Sequence, residues 1–430
     1  MDKKPSIKIG LLGLGVVGSG VADVLINQRE NLAKKSGIDI NVCGVAVRDK
    51  TKSRSFDINP NLITENASEL IDNPEIDIIV ELIGGEKPAL DYILQSLSNK
   101  KHVVSANKEV IAKHGSRIFD LASKNQVNIS YEASVAGGTP IIGPLSNELV
   151  SNEILSLRGI INGTTNYILS EMEATKDSFK NVLKKAQNLG YAEPSNPKLD
   201  LNGYDAMAKI RILSSLAFNK KISNSKCLME GIEDIETKDI EIANQLNLRI
   251  KLLGITELIN NKLFERVHPC LVKKDTYIAN VNNAMNAIIL NGSPVGESVL
   301  QGEGAGPGAT SSALMSDLLS ILRGNIKFPF GIPSNKRKKV GSYDQNLNFN
   351  SLYLRFEVKD KPGVLSQITK QLAKYKISIA RLIQNPDPKR KTASIIIITH
   401  KAKELYSSKC IKSFKSNKNV LKSPTLIRLF

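Results

Sequence analysis

Cysteine and histidine are both scarce, with four of each in 430 residues. Cys43, Cys227, Cys270 and Cys410 lie far apart without a CxxC pair, which argues against a zinc site or a disulfide framework and leaves each as a small buried apolar residue. Long apolar runs are missing too, so no membrane-spanning helix is expected. Only residues 1–6 precede the first apolar segment, too few for a signal peptide, and a cytoplasmic location is expected. Acidic residues run short at one end. Positions 331–430 hold 22 Lys+Arg against 5 Asp+Glu, which is the whole net charge of +17. These cations are spread through periodic segments, Lys336, Arg337, Lys338 and Lys339 excepted, so the excess reads as solvated surface and no nucleic-acid partner is expected.

What is present is an ordinary globular composition, 41% hydrophobic, in a chain long enough for two or three domains. Residues 7–12 form a strand-type run, followed by Gly13, Gly15 and Gly18 in the spacing GxGxxG and then a helical pattern. Strand, glycine turn and helix in that order form a dinucleotide-binding fingerprint: the turn, including Leu14, Val16 and Val17, brings backbone amides against a pyrophosphate. Further strand-like segments at 40–47, 76–82, 102–105 and 127–131 alternate with helical ones. The fold class expected is α/β, opening on a doubly wound parallel sheet of Rossmann type. An NAD enzyme usually carries an acid at the end of the second strand, whereas Arg48 stands there, followed by Lys50, Lys52 and Arg54. A guanidinium suits a 2′-phosphate, which favours NADP; Asp49 would serve NAD if the register differs by one.

The densest chemistry lies at 190–209, GYAEPSNPKLDLNGYDAMAK, which carries Glu193, Asp200, Asp205 and Lys209. Prolines and a glycine suggest a structured loop running into a helix from about Asp205, on which Asp205 and Lys209 are i and i+4 and share a face. Alone, the pair reads equally well as a surface ion pair.

Six segments together resemble the successive signatures of homoserine dehydrogenase, in family order. They are GLLGLGVVGSGV (10–21), SANKEVIA (105–112), YEASVAGGTPII (131–142), GIINGTTNYIL (159–169), the 190–209 stretch and GEGAGPGATSSALMSDL (302–318). The resemblance covers most of 7–330 and implies interconversion of L-homoserine and L-aspartate 4-semialdehyde with NAD(P)(H). Hydride transfer to an aldehyde creates an alkoxide, so a cation and a proton source must stand beside the oxygen. Lys108, just past the strand ending at Ser105, and Lys209 are the candidates, and which of them moves the proton stays open. The resemblance makes Glu193, Asp205 and Lys209 substrate residues and Asp200 a further acid near the reacting group. Asn162, Gly163 and Thr164 form a polar turn able to hold a carboxylate or carbonyl. Residues 195–199 make the loop longer than in many family members, which loosens the placement of Glu193. Ser105, Asn107 and Lys108 are expected beside the cofactor, with Gly302 and Gly306 in a segment lying over it. Glu132, with the carbonyls of Val135, Gly137 and Thr139, corresponds to a monovalent cation site for Na or K; a buried glutamate bonded to amides is the alternative.

The expected organisation is a dinucleotide-binding domain at 1–142 and an α+β catalytic and dimerisation domain at 143–320, with 302–330 returning to the first. A linker at 331–350 and an ACT-like βαββαβ module at 351–430 complete the chain. The module rests on a strand at 352–358, DKPGVL at 360–365, a helix to about 375, a strand at 377–383, a polar turn at 385–391 and a strand at 393–399. Asp360 and Gly363 lie where an effector, threonine by the resemblance, would bind; a module that only supports assembly is the alternative. A homodimer or homotetramer is expected. Competing readings are a semialdehyde dehydrogenase with a cysteine nucleophile, for which no cysteine here has the setting, and a catalytically idle amino-acid sensor.

Overall fold

A computed structural model describes residues 6–54, 56–194, 196–324, 329 and 331–430. The first sheet runs in the order Ile63–Thr64, Asp39–Ala46, Ser6–Leu12, Ile78–Glu81, His102–Ser105 and Ile129–Ser130, all parallel. Strand order reverses between Ser6–Leu12 and Ile78–Glu81, and in such sheets the ligand crevice opens beyond the strand ends at that point. Ile9, Leu11, Val45 and Val80 are fully buried, as strands covered on both faces require. Helix Pro307–Leu322 returns from the far end of the chain and packs on helix Val16–Asn27. Contact is close at Gly20, where a Cβ would stand 2.8 Å from Ser311 Oγ. This helix begins at Pro307, where proline fits a first helical position.

The second sheet is shared by the catalytic body and the C-terminal module. Its order is Gly296–Glu303, Met285–Ser293, Glu153–Ile160, Leu248–Ile259, Lys262–Lys273, Thr425–Leu429, Leu352–Lys359, Thr392–Thr399 and Ile379–Asp387. The last four strands, with helices Val364–Lys374 and Glu404–Ser413, form the expected βαββαβ unit. They are joined to the body through the parallel pairs Cys270↔Arg428 and Leu271↔Leu429. The polar turn expected at 385–391 is shorter, since the strand continues to Asp387. His268 is fully buried within strand Lys262–Lys273.

The expected linker is tied down along its length. Leu263 N donates to Gly341 O at 3.0 Å, and Tyr343 meets Phe264 edge-on. Arg337 is no solvated cation: it is 4% exposed and donates to Ser215 Oγ and Lys220 O.

Buried charge pins the module to the body. Arg355 reaches from strand Leu352–Lys359 to Asp239 of helix Thr237–Gln245, with Nε to Oδ1 at 2.6 Å and Nη2 to Oδ2 at 2.9 Å. Both residues are about fully buried, and Tyr353 donates its hydroxyl to Asp239 Oδ1 at 2.7 Å. Asp239→Ala takes the bidentate partner from Arg355, which keeps Glu236 and Glu357, and leaves the Tyr353 hydroxyl without its acceptor, so it is expected to lower stability by about 1–3 kcal/mol. Urea unfolding followed by circular dichroism checks this; an unchanged midpoint would remove the pair from the list of anchors.

Candidate active site

Four elements meet at the reaction centre. Helix Tyr204–Ala217 follows Gly203, whose φ of +82° is a left-handed conformation that glycine adopts without strain. It places Asp205 in its first turn and Lys209 one turn on, both buried, and their ion pair closes at 2.7 Å. Lys209 Nζ also donates to Ile161 O at 2.8 Å. The pair is therefore an interior one, not the solvated couple that spacing alone equally allows.

Asn162 caps helix Gly163–Thr175, its side-chain oxygen accepting from Thr165 N at 2.9 Å. Its Nδ2 donates to Asp200 Oδ1 at 2.7 Å and to Asp205 Oδ2 at 2.9 Å; Asp200 sits on a short helix, Lys198–Leu201, within the stretch expected as a loop, and is thereby tied to the acid of the next helix. Lys108 opens helix Lys108–Asn125, at the C-terminal edge of the parallel sheet, and its Nζ pairs with Asp205 Oδ1. Asp205 thus bridges two ammonium groups, one from each of the first two domains.

Lys108 is set by its predecessors. Ser105 Oγ donates to Glu81 Oε2 at 2.6 Å and accepts from Asn107 N at 3.0 Å. Asn107 caps the helix through Val110 N at 3.1 Å and donates to Gly85 O at 2.7 Å. Glu81 is fully buried and is not among the residues the sequence points to. Its only signal is an acid closing the apolar run IIVE.

Burial alone would raise the Asp205 pKa, but Lys209 and Lys108 outweigh it and hold the carboxyl well below the usual range. For Lys209, burial prevails over the attraction of Asp205, Lys108 adds repulsion, and the pKa falls. Lys108 goes the other way: burial pulls it down, but the Asp205 charge wins and raises it. Asp200 is raised by burial first and by Asp205 second.

The other substrate candidates divide. Gly163 packs so tightly that a Cβ would stand 2.7 Å from Ala284 O. Thr164 spends its hydroxyl on Tyr191 O. Glu193 is exposed on the loop, and Ser195, within the extra loop length, lies outside the described residues.

A cavity of about 810 Å³ is lined by Gly13, Leu14, Gly15, Val16 and Arg48, among others. Gly13 takes a φ of +107°, and a Cβ on Gly18 would stand 2.4 Å from Gly13 O. A Cβ on Gly15 would meet nothing within 4 Å. Helix Val16–Asn27, which also carries Val17, has no side-chain cap and no acid in its first turn, so its leading amides are available to an anion. Asp49, Lys52, Arg54 and Glu65 also line the cavity. Asp49 turns back into its own loop, accepting from Thr51 N at 2.8 Å and Thr51 Oγ1 at 2.6 Å. Gly302 and Gly306 do not line this cavity. Gly302 belongs to strand Gly296–Glu303, pressed against Gly138 O, and Gly306 precedes helix Pro307–Leu322.

Glu132 is buried and accepts three amides, Ile141 N at 2.7 Å, Ile142 N at 2.9 Å and Gly143 N at 2.6 Å. Val135 and Thr139 are fully buried beside it, and Gly137 has a φ of +53°. Cys270 Sγ lies 3.3 Å from His268 Nδ1, both fully enclosed; burial pushes this thiol up to about 12, which removes it as a nucleophile. Cys410 is buried, while Cys43 and Cys227 are only half-buried.

Comparisons with known proteins give the family. The family model described as homoserine dehydrogenase matches residues 140–319, that for the homoserine dehydrogenase NAD-binding domain matches 13–132, and that for the ACT domain matches 352–405. The chain is 39% identical to a homoserine dehydrogenase of Neisseria gonorrhoeae over 98% of each chain. It is 38% identical to one of Helicobacter pylori over 99% of each. It superimposes on a crystal structure of a homoserine dehydrogenase from Thiobacillus denitrificans with a TM-score of 0.89, at 38% identity, covering 99% of this chain and 98% of that one. With the glycine turn, the paired lysines and the terminal module all in place, this chain belongs to the homoserine dehydrogenase family.

Proposed function

We propose that the chain interconverts L-homoserine and L-aspartate 4-semialdehyde with NADP, using Lys209 for the proton and Lys108 to hold the substrate. The observation that carries this reading is the Asp205 carboxylate held between two ammonium groups from two domains. The bound nicotinamide supplies a hydride to the aldehyde carbon or takes one from the alcohol carbon. In reduction, the developing alkoxide takes a proton from the Lys209 ammonium, whose other contacts, Ile161 O and Asp205 Oδ2, leave its third N–H for the substrate. A lowered pKa makes that proton easier to release. Lys108, with 45% of its side chain exposed and its pKa raised, stays charged beside the oxygen. Asp200, joined where the loop allows by Glu193, receives the substrate ammonium, and the leading amides of Gly163 and Thr164 receive its carboxylate.

NADP is favoured by the cations Arg48 and Lys52 at the cavity and by the engagement of Asp49 with Thr51; Arg54 spends its guanidinium on the carbonyls of Asp49 and Lys52. Arg48→Ser is expected to lower kcat/KM for NADPH by about 10- to 100-fold while NADH turnover changes little. Equal losses with both dinucleotides would refute the assignment. As for a cation, the Glu132 carboxylate is answered by three amides, and no step is routed through an ion there. The loop from Asp360 to Gly363, which caps helix Val364–Lys374 with a φ of +85°, is read as an effector loop for L-threonine. Assembly into a dimer or tetramer would use the edge strand Gly296–Glu303, whose side chains alternate between exposed and half-buried.

A further inference from the structure

Strand Leu248–Ile259, flanked by a strand on each side in the shared sheet, carries a lysine that takes no part in the chemistry above. Lys251 is 1% exposed and shares its face of the strand with Leu253 and Ile255, which pack among Ile278, Ala279 and Val281. An apolar side chain would suit that position, whereas an enclosed ammonium is costly unless its protons are taken. Burial draws its pKa down to about 8; Glu173 opposes this, but Glu173 is itself paired with Arg249 at 2.9 Å.

Carbonyl and amide oxygens take those protons. Lys251 Nζ donates to Val281 O at 2.6 Å, Asn166 Oδ1 at 3.1 Å and Asn282 Oδ1 at 3.3 Å, and it makes no ion pair among the described residues. Asn166, 2% exposed, lies near the start of helix Gly163–Thr175, and its Nδ2 donates to Val281 O and Met285 O, both at 3.1 Å. Lysine and asparagine together grip one segment, 281–285.

That segment abuts the reaction centre. Ala284 O is the atom that a Cβ on Gly163 would meet at 2.7 Å, and it also accepts from Gly304 N at 3.4 Å. Gly163 and Thr164 open the helix whose cap, Asn162, bonds Asp200 and Asp205. Amides of the first helical residues have no intrahelical acceptor and point along the axis toward whatever lies beyond. Their aim is set by the surface on which the first turn rests, and at Gly163 that surface is Ala284.

We propose that Lys251 is a positioning residue for the substrate: through Asn166 and Val281 it holds segment 281–285 against the first turn of the helix, and so aims the amides of Gly163 and Thr164 at the substrate carboxylate. This role rests on the reading given above, in which those amides receive that carboxylate. Lys251 itself touches no reacting atom. Without it Asn166 Oδ1 loses its donor, the amide is free to turn, and its two bonds to the segment loosen. Close packing at Gly163 then passes any shift of Ala284 to the first turn.

Steady-state oxidation by the full chain with NADP, of L-homoserine and of its amide, which lacks the carboxylate charge, tests this. The parent is expected to show a lower KM for the acid than for the amide. Lys251→Met is expected to raise KM for L-homoserine by about tenfold or more, with kcat changed by less than about threefold and KM for the amide and for NADP nearly unchanged. Lys251→Met combined with Asn166→Leu puts apolar groups on both sides of the lost bond, so the urea midpoint is expected to recover toward the parent while KM for L-homoserine stays raised. A KM for L-homoserine that keeps the parent value, that recovers along with the midpoint, or that rises equally for acid and amide overturns the positioning role. Equal KM for acid and amide in the parent overturns the carboxylate reading itself, and the role of Lys251 with it.

Discussion

Lys209→Ala is expected to lower kcat for aldehyde reduction by about 10²–10⁴-fold, the usual worth of a positioned general acid, with a smaller change in KM. The alkoxide formed by hydride transfer loses its proton source, and Lys108 cannot take over. Its pKa is raised and its Nζ is held on Asp205 Oδ1. The substitution also leaves Ile161 O without its donor, at a cost of about 1–3 kcal/mol. A variant that folds with an unchanged circular dichroism spectrum yet turns over slowly separates the chemical role from the structural one. Full turnover would refute it.

Asp205→Asn is expected to move the alkaline limit of reduction toward acid by about one to three pH units. The sign follows from the charges. Asp205 raises the pKa of both lysines, and in Lys209 it opposes burial and the repulsion of Lys108. Without that carboxylate Lys209 loses its proton at lower pH, and the rate falls earlier as pH rises. Stability changes on the other side. Because the folded pKa of Asp205 is depressed, its contribution is fully present above the unfolded value of about 3.9 and is lost as pH falls through the folded one. The variant should lack that acid-side loss. Rate profiles and unfolding midpoints across pH check both halves, and coincident alkaline limits in variant and parent would contradict the first.

How much of this was legible in the sequence depends on how local each feature is. Gly13, Gly15 and Gly18 are readable because each has its own backbone reason within one turn: a positive φ, an open face and a close approach. Asp205 and Lys209 are readable as a pair because helical spacing alone makes them neighbours. The contact of Lys108 with Asp205 is not, since it is made across two domains by residues far apart in the chain. Glu81 is hidden for the same reason: its partner Ser105 lies on the adjacent strand. Arg337, Arg355 and Arg428 read as solvated cations in a basic tail, yet all three are buried on partners from the catalytic body. Composition counts charge and says nothing about where long side chains end. The shared second sheet is invisible too, because its junction rests on two residue pairs. Both lysines in contact with one buried carboxylate also argue against a catalytically idle sensor, which would have no need to hold that charge arrangement.

The most direct test is the initial rate of L-aspartate 4-semialdehyde reduction, followed by NADPH consumption with NADH in parallel, for the parent chain, Lys108→Ala and Lys209→Ala. The account predicts turnover in the parent, a loss mainly in kcat for Lys209→Ala and a loss mainly in KM for Lys108→Ala. No turnover with either dinucleotide, or both variants matching the parent, would contradict it.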